Sequence, residues 1–235
     1  MATSSTNTFN LDIGEIVDEA FDRAGMEART GWHYKTARRS LDLMMLEWQN
    51  RGLNLWTVSG PTSQTLTAGT GSYTLDSSGN TVDLIEYNLR TNDGDSGSQT
   101  DYTLRRISIP EYADFPNKLT ESQPTQILIN RNASSLTVDL LPVPDDSQTY
   151  KLIYYSLRLI YDSGSPASYN MDVPKLFLPA LAAGLAYYVA MKFPQDAADR
   201  LPFLKQEYEQ QFNLAAEENR VKAPIPVSYT HLRAH

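Results

Sequence analysis

At 235 residues the chain has room for one large domain or two small ones, each with its own core. It holds no cysteine, which excludes disulfide frameworks, thiolate zinc sites and thiol nucleophiles, and its three histidines are too few for a His-rich metal site. A formal charge of −8 repels phosphate backbones, so tight nucleic-acid binding by charge neutralisation is not expected, although a surface that lets DNA slide past is compatible with it.

The N-terminal MATSSTNTF has neither a basic region nor an apolar run, so no secretory signal is expected. From Leu11 to Gly25, Ile13, Ile16, Val17, Ala20, Phe21 and Ala24 recur at helical spacing, with Asn10 as the candidate cap and Gly25 as the stop. A second helix is predicted from about Thr30 to Arg51, with Tyr34, Ala37, Leu41, Met44, Met45 and Trp48 as its stripe and Gly52 as its end. The short connection makes the two an antiparallel pair. Large apolar side chains continue past the second stop, at Leu53, Leu55 and Trp56, which is more than a helix end needs for itself.

Beyond Trp56 the pattern alternates. SQTLTAGTGSYTL, VDLIEYNLR, DYTLRRIS, TQILIN, SLTVDLL and TYKLIYYSLR read as roughly six strands between Gln64 and Arg158, separated by Gly-, Asn- and Asp-rich turns. They predict a small antiparallel β-domain, a sandwich or an open barrel. Helical spacing then returns. Asp172 is the expected cap and Pro174 the first or second residue of a third helix reaching Phe193, with Ala180, Ala183, Gly184, Ala186 and Ala190 allowing close contact. Its apolar part, Leu176 to Met191, is bracketed by lysines, interrupted by Pro179 and shorter than the ~20 residues a bilayer requires, so a buried helix and no membrane span is expected. A fourth helix is predicted from about Asp196 to Arg220, with Leu201, Leu204, Tyr208, Phe212 and Ala215 inward and Pro202 confined to its first turn.

The fold class that follows is α+β: a four-helix bundle with an antiparallel β-domain inserted between helices two and three. Residues 1–58 supply the first two helices, 59–165 the insert and 166–226 the last two. The ending VSYTHLRAH, Val227 to His235, is similar at all nine positions to the translation of a transposase adapter used in sequencing libraries, and is read as a non-native tail.

Few residues in the sequence point to chemistry. Gly69 to Ser72 lacks the Lys-Ser/Thr ending of a phosphate loop and is read as a hairpin turn. Asn92 to Gly97 places Asp93 and Asp95 together, but Leu104 stands where a calcium loop needs glutamate, so a solvated hairpin tip is expected. Glu217 with Glu218 and Asp145 with Asp146 read as surface acids, and the Asn132–Ser134 sequon has no signal peptide to accompany it. His33, between Trp32 and Tyr34, has no activated nucleophile near it in the sequence and is read as a partly buried structural residue. No catalytic residue, metal ligand or cofactor is expected. Arg29, Lys35, Arg38 and Arg39 form a basic cluster in an acidic chain: either a solvated face with internal pairs such as Arg38 to Asp42, or a docking face for an acidic partner or a neighbouring subunit.

The stretch ARRSLDLMMLEWQNRGLNLWTV, Ala37 to Val58, resembles the second-helix signature of head-to-tail adaptors of short-tailed bacteriophages, the head completion or tail tubular protein A-like connectors. Leu41, Asp42, Met44, Met45, Glu47, Trp48, Gly52 and Leu53 carry the likeness. Ile13 to Met26 looks like the family's first helix. Glu111–Tyr112, Leu140 to Asp146 and the alanine-rich third helix resemble its larger tail-tube branch, so the likeness extends from about Leu11 to Arg220. It implies a virion protein, assembled in the host cytoplasm as a homo-oligomeric ring of about twelve copies beneath the portal protein. Such a ring extends the DNA channel, lets double-stranded DNA pass without specific binding, and receives the tail nozzle or tube protein. Subunit or portal contacts are expected at Arg38, Arg39, Leu53, Leu55, Trp56, Arg220 and Lys222. Two other readings compete: a tail or receptor-binding module whose β-domain recognises the host, and a virion peptidoglycan hydrolase, which needs a sheltered glutamate and a second carboxylate.

Overall fold

The computed structural model describes residues 9, 11–28, 30–52, 55–164 and 168–218. Asn10, Arg29, Leu53, Arg220, Lys222 and the tail Val227 to His235 lie outside the described residues. The chain is α+β and divides into two compact units, residues 1–55 with 162–235 and residues 56–161.

In the helical unit, α1 (Ile13–Ala24) buries all six residues of its apolar stripe. Its cap is Asp12: the carboxylate accepts from Glu15 N (2.8 Å) while Glu15 accepts from Asp12 N (3.0 Å), a reciprocal pair that satisfies two backbone donors the helix leaves open. Gly25 ends it at φ 79°, a left-handed conformation that glycine adopts freely. The longer α2 (Gly31–Asn50) starts on Thr30 and buries Ala37, Ser40, Leu41, Met44, Met45 and Trp48. Tyr34 donates to Asp18 (2.5 Å), and the Phe21 and His33 rings meet at 5.4 Å, joining the two helices.

The later helices, α4 (Leu178–Lys192), α5 (Pro194–Ala197) and α6 (Leu201–Glu218), correct three expectations. Helix α4 follows the 3-10 turn Lys175–Phe177 and starts on Phe177 without a side-chain cap, so it begins later than the expected start at Asp172 and Pro174. Pro179 falls in its first turn, where no intrahelical N–H is required, and so does not interrupt it. The predicted fourth helix is three pieces, because Pro202 can be accommodated only in a first turn. The chain therefore runs through α5 and a 3-10 turn, Ala198–Arg200, before α6 begins. Helix α4 packs against α1, α2 and α6, which explains its apolar composition on every side. Among the described residues no single helix is long and apolar enough to cross a membrane.

The β-unit has eight strands: β1 (Val58–Leu66), β2 (Ser72–Asp76), β3 (Thr81–Thr91), β4 (Thr100–Thr103), β5 (Arg105–Arg106), β6 (Gln126–Asn132), β7 (Ser135–Leu141) and β8 (Tyr150–Arg158). They form two four-stranded sheets, β1-β8-β3-β4 and β2-β7-β6-β5, antiparallel except for β5 on β6. Leu84, Leu89 and Leu152 from one sheet share a core with Ile127, Leu136 and Leu140 from the other, which makes the unit a sandwich. Three sequence expectations change. Gly69 to Ser72 is not a hairpin turn, since β1 pairs with β8 and β2 with β7, so this loop passes from one sheet to the other. DYTLRRIS splits at buried Leu104, with β4 in one sheet and β5 in the other. A short helix, α3 (Ile109–Asp114), holds Glu111 and Tyr112. It is started by a Ser108–Glu111 capping box with Pro110 in the first turn. Asn92 to Gly97 does turn the β3–β4 hairpin, and Asp93 there pairs with Arg90 (3.3 Å) and Lys151 (2.7 Å).

Candidate functional site

Of the residues that carry the sequence likeness, Leu41, Met44, Met45 and Trp48 are buried in the helical unit, with Glu47 half-buried beside them. Trp48 is fully buried. Its indole N–H donates to Tyr208 Oη at 3.0 Å, and its ring meets Phe177 and Phe212 at about 6 Å. Glu47 accepts hydrogen bonds from Tyr188 Oη and from Tyr208 Oη (3.5 Å), and pairs with Arg51 at 2.5 Å. Arg51 also reaches Glu209 (3.3 Å) and covers the Phe212 ring at 4.5 Å. Met44 and Tyr208 close over Gly184, whose missing side chain lets α2, α4 and α6 meet. Asp42 accepts the Ser163 N–H (2.8 Å) and so fixes the returning chain. The signature is therefore the lock of the helical core, with the Glu47–Arg51 pair as its charged hub.

This hub sets a pH dependence. Burial, then the Glu47 carboxylate, raise the Tyr208 hydroxyl to about 12 against the opposing Trp48 N–H and Arg51; burial, then its bond to Glu47, raise Tyr188. Both groups hold their protons more tightly folded than unfolded. Their stabilisation is complete below about pH 10 and is lost as pH rises through 10 towards 12. Glu47→Gln is expected to make that alkaline loss shallower in melting curves taken between about pH 9 and 12, and a loss as steep as wild type would contradict the coupling.

The expected contact residues lie elsewhere. Arg39 is exposed and Arg38 half-buried, Leu55 is exposed and Trp56 half-buried in the single 3-10 turn Leu55–Thr57. The Arg38–Asp42 pair is not formed: Asp42 serves Ser163, and Arg38 Nε is buried without a hydrogen-bond partner among the described residues. Sequence reasoning missed a second stripe on α2. Trp32, Lys35, Arg39, Leu43, Leu46 and Asn50 follow one another in steps of three and four and all are exposed, Trp32 by 60%, Leu43 by 55% and Leu46 by 49%. The same helical period, offset from the buried stripe, was the signal that could have shown it.

Two depressions mark the helical unit. One, of about 520 Å³, is lined by His33, Phe21 and Phe193 with Asp22, Glu27 and Asp196. His33 is half-buried among Phe21, Trp32 and Phe193, and no serine, threonine or lysine lines the hollow. Its three carboxylates are exposed, whereas a glycosidase acid is sheltered. The other, of about 820 Å³, runs along α1 and the start of α4, with Phe9, Leu11, Leu176, Leu178, Pro179 and Ala182 as its apolar lining. Four carboxylates, Glu15, Asp18, Glu19 and Asp22, line it against two cations, Arg23 and Lys175. Among the described residues no group of three or more His, Cys, Asp or Glu could hold a metal ion. No curated protein matches the chain. From residue 11 to residue 228, a span that takes in the core lock, the outward stripe of α2 and the whole β-unit, it matches the family described as SU10 adaptor protein; the chain belongs to that family and is a structural adaptor of a bacteriophage virion.

Proposed function

We propose that this adaptor assembles as a ring of about twelve copies beneath the portal protein, extends the channel through which DNA passes, and presents a face to the tail nozzle or tube. The helical unit is the body of the ring, a four-helix bundle that carries the subunit contacts, and the β-unit is its insert. Contacts to siblings or portal are drawn from Arg38, Arg39, Leu55 and Trp56, joined by Leu53, Arg220 and Lys222 outside the described residues. The observation that supports this reading best is the outward stripe of α2, where three large apolar side chains and two cations stand exposed on a helix whose opposite stripe is already buried. The charge of −8 suits a bore from which phosphates are repelled. A receptor-binding role for the β-unit gains little from the β3–β4 tip, where Asp93, Gly94, Asp95, Ser96, Gly97 and Ser98 offer no aromatic platform. Sedimentation of the purified chain with and without the portal protein of the same phage tests the proposal. The chain is expected to join the portal ring, and a chain that sediments separately at every ratio contradicts it.

A further inference from the structure

We infer that the ring contact is a helix laid in a groove: the outward stripe of α2 on one copy seats in the α1–α4 groove of the next. The inference rests on the ring reading and names its two surfaces. The stripe presents Trp32, Leu43 and Leu46 with Lys35 and Arg39, and no carboxylate stands on it. The groove offers matching chemistry of opposite sign. Phe9, Leu11 and Leu176 in its lining stand exposed, with Leu178 half-buried beside them. Its four carboxylates exceed its two cations by two, and Arg23 is already paired with Glu19 (2.7 Å) and Glu207 (2.7 Å). Two uncompensated negative charges thus face the two positive charges of the stripe.

The lengths agree as well. At 1.5 Å per residue, Trp32 to Leu46 extends about 21 Å, and α1 from Ile13 to Asp22 about 14 Å, lengthened at its start by Leu11 and the extended Asp12. An amphipathic helix whose anchors recur every three or four residues is the shape such a groove accepts. Because stripe and groove share no residue, each copy can give one and receive one. That is a heterologous contact, the kind that closes into a ring. A large apolar stripe flanked by cations fits this acidic groove better than it fits the acidic chain as a whole, so a second copy is the occupant the charges favour.

Two surface variants test this on the full chain. Leu43→Asp with Leu46→Asp spoils the stripe and keeps the groove; Asp22→Lys with Leu176→Lys spoils the groove and keeps the stripe. All four positions are exposed, so melting temperatures are expected to stay at the wild-type value. Each variant alone is expected to self-associate ~100-fold more weakly than wild type by analytical ultracentrifugation. An equimolar mixture of the two is expected to form one-to-one pairs, since one intact stripe then meets one intact groove. A mixture that stays monomeric, or variants that assemble as wild type does, overturns this contact and leaves the ring standing. A wild-type chain that stays monomeric both alone and beside the portal protein overturns the ring and the contact together.

Discussion

Trp48→Ala is expected to lower the unfolding free energy by about 3–5 kcal/mol, the largest loss of any single truncation in the helical unit. The indole is fully buried between Phe177 and Phe212, so removing it opens a cavity that rigid neighbours in the 3-10 turn Lys175–Phe177 and on α6 cannot close. The change also takes the donor from Tyr208 Oη, leaving that hydroxyl with only its longer approach to Glu47. Against a total of about 5–15 kcal/mol, the loss brings a domain of this kind close to unfolding at ordinary temperature. Trp48→Phe keeps part of the ring volume and loses only the N–H, so about half the effect is expected. Urea unfolding followed by circular dichroism measures both. A midpoint for Trp48→Ala within error of wild type would show that the signature tryptophan does not hold the core.

Gly184→Leu is the second severe change. A Cβ at this position would stand 2.8 Å from a ring carbon of Tyr208 and against Met44 Sδ. The thioether is a flexible end and can move. The Tyr208 ring cannot, because Trp48, Phe212 and Tyr187 hold it on several sides. Replacing a helical glycine returns about 1 kcal/mol of helix propensity, but overpacking by a whole leucine costs more than that, and a net loss of about 3 kcal/mol is expected. Gly184→Ala already places its Cβ against the Tyr208 ring, so even with the gain in helix propensity a smaller net loss of about 1–2 kcal/mol is expected. Adding Met44→Ala to Gly184→Leu is expected to recover part of the loss, since the new side chain then has somewhere to go. Thermal melts of the four chains would contradict this packing if the leucine variant were as stable as wild type.

What the sequence disclosed and what it withheld divide along the same physical line. Periodicity reports which face of an element is buried, and it did so for α1, where all six stripe residues are core, and for Trp48 and Tyr208. It does not report partners. The alternation around Gln64 to Leu75 marks strands correctly, yet β1 and β2 belong to different sheets, because pairing depends on residues such as Tyr154 and Val138 far along the chain. Proline chemistry was readable at Pro202 but misjudged at Pro179, where the helix begins at Leu178, two residues after the apolar run does. The capping signal Ser108-x-x-Glu111 begins on the last residue of the segment DYTLRRIS, whose alternation reads as strand, and this hides the start of α3. At the candidate contact surface, Leu55 and Arg39 were visible as apolar and basic excess. Leu43 and Leu46 were not, since a leucine on a helix is ordinarily taken for core until its neighbours show that the core lies on the other side.

Electron microscopy of particles made by the phage with this gene silenced tests the structural role most directly. Full heads and separate tails that fail to join are the result the adaptor role predicts. Complete, tailed particles that lack only attachment to the host would contradict it and would move the function to the β-unit as a receptor-binding module.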